Sequence, residues 1–86
     1  MTPNVSLAEK KRRLSFKESG ELAALPERID LLEQERDAVY ATLVDAATLR
    51  SAAAAIDARR RLTALETEIT KLTARWEALE TIAAEG

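Results

Sequence analysis

The sequence predicts an all-α fold: an antiparallel two-stranded coiled-coil hairpin, with a short helix before Pro26 and a flexible basic N-terminal tail. Three observations carry this. Hydrophobic residues make up 47% of the chain but aromatics only 3%, and charged residues reach 33%, a balance of Ala, Glu, Leu and Arg suited to long helices. Glycine and proline occur twice each, so the turns that hairpins of strands would need are missing. Finally, two segments carry apolar residues at alternating spacings of three and four, and a short link joins them.

The first seam is Leu22, Leu25, Ile29, Leu32, Arg36, Val39 and Leu43, with Arg36 its only polar member. The second is Leu62, Leu65, Ile69, Leu72, Trp76, Leu79 and Ala83, and it extends back through Ala58 and Ala55. Between them lies Asp45 to Ala54, a weak helix-breaking stretch in which Asp45 and Ser51 are candidate caps. So short a link implies antiparallel neighbours. Folding near Thr48 and Leu49 sets Leu22 opposite Trp76, Ile29 opposite Ile69, and Leu43 opposite Ala55, with the small alanines allowing close approach near the tip.

Flanking charges give an independent check on this register. It sets Glu21 against Arg75, Arg28 against Glu68, and Glu35 against Arg61, all opposite in sign. A parallel homodimer has no such account of them, and one chain suffices, so a monomeric hairpin is expected. Glu33 falls near Glu66, where Arg36 either neutralises both or carries its head out to water. Trp76 opposite Leu22 reads as closure of the open end rather than as a base-stacking platform, with Phe16 capping the same cluster.

Element boundaries follow from caps and breakers. Ser15 and Glu18 form the S-x-x-E capping box, so the first helix starts at Ser15. Proline inside a helix removes a hydrogen bond and favours a kink or a fresh start. The expectation is a short helix from about Phe16 to Ala24, a longer one from Pro26 to Val44, and a third from about Ser51 to Ala84. Residues 1–13 read as a flexible basic linker and residues 14–86 as the hairpin domain.

Several kinds of chemistry are excluded. With no cysteine or histidine there are no disulfides, thiolate nucleophiles, imidazole bases or ordinary zinc sites, and two glycines cannot build a phosphate-cradling loop. No catalytic residue, metal ligand, cofactor site or small-molecule substrate site is assigned. The stretch from Glu27 to Tyr40 superficially resembles an all-helical mutase, but such enzymes need convergent buried polar groups, and Arg36 stands alone. No run approaches the length of a membrane span and no signal-peptide core follows Met1, so no membrane partner and an intracellular chain are expected.

Net charge is −2, which argues against nucleic acid until its distribution is considered. Lys10, Lys11, Arg12, Arg13 and Lys17 fall together with no acid among them, whereas acids prevail from Glu18 to Asp37. These five cations can neutralise phosphates and release counterions without reading sequence. Arg50 near the tip, with Arg59 and Arg60 on the return helix, extends the candidate contact. The competing readings are a solubilising linker, a solvated face, and an acidic face over Glu27, Asp30, Gln34 and Asp37 that suits a basic protein.

The stretch R-L-S-F-K-E-x-x-E-L-x-x-L-P from Arg13 to Pro26 resembles the opening of the C-terminal domain of Uup-type ABC-F ATPases. I-x-x-L-E from Ile29 to Glu33 and R-W-x-x-L-E from Arg75 to Glu80 extend the resemblance over about residues 10 to 82. Where the family often has D-P-x-x-Y at the tip, this chain has Asp45, Ala46 and Leu49; Ser19 and Gly20 stand where Gln-Arg is frequent. The resemblance implies a coiled-coil accessory of a cytoplasmic ATPase with two nucleotide-binding cassettes, acting on ribosomes and translation and associated with DNA. It implies DNA or ribosomal RNA as a partner, or docking on the ribosome through protein. The segment itself contains neither cassette, so no ATP hydrolysis is expected of it.

Overall fold

The computed structural model describes residues 13–85, and within them every regular element is a helix: α1 (Phe16–Leu43), α2 (Ala46–Leu49) and α3 (Ala52–Glu85). Helix α1 packs along α3, and α2 closes the tip between them. The expected antiparallel hairpin is the fold. The linker expectation covers residues 1–13, of which 1–12 lie outside the described residues.

The capping box forms as the spacing predicts. Ser15 is extended (φ −69°, ψ 167°), its Oγ accepts the Glu18 N–H at 3.1 Å, and its own N–H donates to Glu18 Oε1 at 3.0 Å. Two backbone donors that the first turn leaves without helical partners are thereby satisfied. At the other end of the hairpin, Ser51 Oγ accepts the Ala54 N–H at 3.2 Å, as expected of a cap. Asp45 holds the N-cap position of α2 but makes no side-chain bond there.

Pro26 does not divide the first helix. The expectation of two helices, Phe16 to Ala24 and Pro26 to Val44, is corrected: α1 runs 28 residues with Pro26 inside it. The physical reason lies in the seam. Leu22 and Leu25 before the proline, and Ile29 and Leu32 after it, sit in one heptad register against the same helix, so a break would strip packing from both halves. Pro26 itself is exposed, and its missing N–H and ring crowding fall on the outside. The link at the tip also differs from expectation: Ala46–Leu49 makes a helical turn, with Thr48 buried beneath it.

The core is the interlocked seams. Leu25, Ala58, Leu65, Ile69 and Leu79 are buried, Leu79 completely, and all are seam positions. Leu22, Ile29, Leu32, Val39, Leu43, Ala55, Leu62, Leu72 and Trp76 are half-buried, the ordinary state of a two-helix interface whose outer sides have no third layer. Ala83 departs from the seam and is exposed, while Ile82 is half-buried in its place. The larger side chain takes the last inward position, where Leu14 and Ser19 approach from the start of α1.

Leu79→Ala is expected to lower stability by about 2–5 kcal/mol, because a cavity opens where no atom of the side chain meets water. Pro26→Ala is expected to raise it by up to ~3 kcal/mol, since the helix is continuous and regains a hydrogen bond. Urea unfolding followed by far-UV circular dichroism measures both; an unchanged midpoint for Leu79→Ala contradicts the core assignment.

Candidate nucleic-acid interface

Cross-strand ion pairs decide which charges are committed to the fold. Arg75 clasps Glu21 with two bonds, Nε to Oε2 at 2.7 Å and a terminal nitrogen to Oε1 at 2.9 Å. Glu18 also stands 3.9 Å from Arg75, so one guanidinium gathers two carboxylates at the open end. Glu35 pairs with Arg61 further along. Two of the three predicted cross-strand pairs thus form. The third does not: Arg28 and Glu68 make no ion pair with each other among the described residues.

Around Arg36 the structure resolves the open choice. Its head turns outward to Asp37 at 3.2 Å rather than inward to Glu33 and Glu66. Glu66 instead accepts a hydrogen bond from the Tyr40 hydroxyl at 2.9 Å, a link between α1 and α3. That bond, and the nearby negative charge of Glu66, push the Tyr40 phenol above its ordinary value.

The expected phosphate contacts divide into three sets. Lys10, Lys11 and Arg12 lie outside the described residues. Arg13 and Lys17 are exposed at the start of α1, beside the open end. Arg50 is exposed at the tip, and Arg59 and Arg60 are exposed on α3, where they line a shallow groove of ≈ 460 Å³ with Ile56, Thr63 and Ala64. None of these five makes an ion pair with a carboxylate among the described residues, in contrast to their neighbours Arg61 and Arg75. The two ends are not brought together. Lys17 and Arg60 are separated by about 30 Å along the hairpin, at ~1.5 Å of helix rise per residue.

Phe16 is where the sequence reading fails. Expected to cap the Trp76 cluster, it is 97% exposed on the first turn of α1. Trp76 is half-buried, as a seam residue should be, and shares a groove with Pro26 and Ile29. The capping box fixes the reason: with Ser15 at N-cap, Phe16 is the first helical residue, a turn and a half before Leu22 and off the seam. At the tip, Val44 and Leu49 are also largely exposed, at 75% and 72%. Among the described residues no helix is long and apolar enough to cross a membrane, and no acidic cluster is placed to hold a metal.

The sequence model of the ABC transporter C-terminal domain family matches residues 13–81, and the chain belongs to that family. No curated protein and no solved structure gives a significant match.

The Arg75 guanidinium holds the Glu21 carboxyl below its ordinary value of 4.5. A carboxylate with a depressed folded-state pKa adds stability that is present above its unfolded value and lost as pH falls through the folded one. Thermal unfolding midpoints should therefore drop as pH falls below the ordinary carboxyl value of 4.5, and Glu21→Gln should remove part of that drop. Equal pH profiles for the two proteins would mean that the pair does not form in solution.

Proposed function

We propose that this ABC transporter C-terminal domain is a nucleic-acid-binding accessory of a Uup-type ABC-F ATPase, acting in the cytoplasm and carrying no catalysis itself. The observation that carries the reading is the division of the arginines and lysines. Arg61 and Arg75 are consumed by the hairpin's own carboxylates, whereas Arg13, Lys17, Arg50, Arg59 and Arg60 stand exposed without an ion pair among the described residues. Cations left unpaired next to the Lys10–Arg13 run are the groups a phosphate backbone recruits, with counterion release supplying the free energy. Such contacts position a rod on DNA or RNA without specifying sequence. Arg50, Arg59 and Arg60 extend that grip along the hairpin toward its tip, and neither cassette is needed for it.

A second reading has its own observation. Val44 and Leu49 expose apolar surface at the tip, next to Arg50, which favours docking on a protein, for example on the ribosome. In that reading the basic segment is a tether.

Fluorescent duplex DNA and structured RNA, titrated over a salt series, separate the two. The chain should bind with a log–log salt slope of about −4. Replacing Lys10, Lys11, Arg12 and Arg13 together by Gln should flatten it by ~0.9 for each phosphate no longer neutralised. Arg59→Gln and Arg60→Gln should weaken binding further while leaving the melting temperature within error, because neither arginine forms an ion pair among the described residues. Absence of binding at low salt, or a slope indifferent to these residues, sinks the nucleic-acid reading and leaves the docking one.

A further inference from the structure

An aromatic ring almost wholly in water is an unusual use of a chain with only three aromatic residues. Tyr40 is held by Glu66 and Trp76 is half-buried in the interface, but Phe16 is 97% exposed. Its surroundings keep it so. Helical side chains lean toward the N-terminus, so the residue four positions on would ordinarily lie over the ring. That residue is Gly20, and a Cβ placed there meets nothing within 4 Å. Gly20 therefore supplies no side chain that could reach over the ring from that position.

The charges around the ring are sorted in the same sense. Glu18 folds back into the capping box and toward Arg75, leaving its side chain only 15% exposed, and Glu21 is clasped by Arg75. Arg13 and Lys17 flank Phe16 and remain exposed. The first turn thus carries a bare aromatic ring with an exposed cation before and after it in the chain, while its acids are engaged by the cap and by Arg75.

We propose that this turn binds single-stranded nucleic acid, one base stacking on Phe16 while adjacent phosphates meet Arg13 and Lys17. The inference rests on the nucleic-acid reading and deepens it by naming the form of the ligand. A stacking platform needs an unpaired base with a free face, which duplex interiors do not offer, and stacking on an aromatic is tolerant of base identity. Flanking cations suit the alternating charge and ring of a single strand better than an apolar protein pocket, which would have to accommodate both charges as well.

The test uses the whole chain with two fluorescent probes, an oligothymidylate of ~12 nucleotides and a duplex of the same length, each over a salt series. Phe16→Ala should weaken oligothymidylate binding ~5- to 150-fold and leave duplex binding unchanged. Phe16→Trp should restore it. Because the ring is exposed, Phe16→Ala should not move the melting temperature. Gly20→Leu supplies the complementary variant: it should raise the melting temperature, as a helix-former replacing glycine, yet weaken single-strand binding by covering the ring. If Phe16→Ala leaves both probes unaffected, or weakens both alike, stacking is wrong even where a steep salt slope keeps the nucleic-acid reading alive. If neither probe binds at low salt, both fall together.

Discussion

Each of the two leucine-rich seams is too narrow to be stable alone, and among the described residues each packs against the other. That mutual burial, possible in one chain only if it reverses once, is the constraint from which the rest of the molecule follows. It places Leu25, Leu65, Ile69 and Leu79 in the interior and carries α1 through Pro26 without a break. It also brings residues more than fifty positions apart in sequence, Glu21 and Arg75, into bidentate contact. The ion pairs do not create the hairpin, for exposed pairs contribute only ~0.2–1 kcal/mol each. They select among registers that hydrophobic burial alone would leave close in free energy.

The same register governs the surface. Each cross-strand pair removes one cation and one carboxylate from the charges available to a partner, so pairing inside the hairpin determines what remains outside. At the open end, Arg75 draws in Glu18 and Glu21, and Arg13 and Lys17 remain exposed without an ion pair among the described residues. Further along, Glu35 takes Arg61 from a run of three arginines and leaves Arg59 and Arg60 to solvent. A net charge of −2 therefore coexists with exposed cations that make no ion pair among the described residues, and the overall figure is a poor guide to partners.

Much of this is legible in the sequence because it depends on period and spacing. The three–four repeat defines the seams, the short link sets their antiparallel sense, and S-x-x-E marks the start of α1 and its capping box. Ser51 as a cap and two of three cross-strand pairs can be read in the same way. What fails depends on competition between local and tertiary terms. Local propensity says that Pro26 ends a helix, but continuous packing on both sides of it outweighs one missing hydrogen bond. The failure at Arg28 and Glu68 is of another kind: two long side chains at the surface lose rotamer freedom on pairing and gain little in water. Composition argues for a buried Phe16, because aromatics are usually buried, although the cap position already sets it off the seam. There the spacing is the better guide. Ile82 replacing Ala83 has a similar cause, since side-chain size decides which of two neighbouring positions turns inward near a helix end.

The central claim, that one chain closes on itself in this register, is best tested by a distance across the open end. The sequence contains no cysteine, so spin labels at Ser19→Cys and Ala83→Cys, both exposed, would be the only ones present. Pulsed electron resonance on the doubly labelled protein should give a single separation of under about 25 Å, given helix axes ~8–10 Å apart. Dilution with excess unlabelled protein should leave that distance intact. A distance several times longer, or one that vanishes on dilution, would show that the helices pair in another register or with a second chain, and the account built on the open end would not stand.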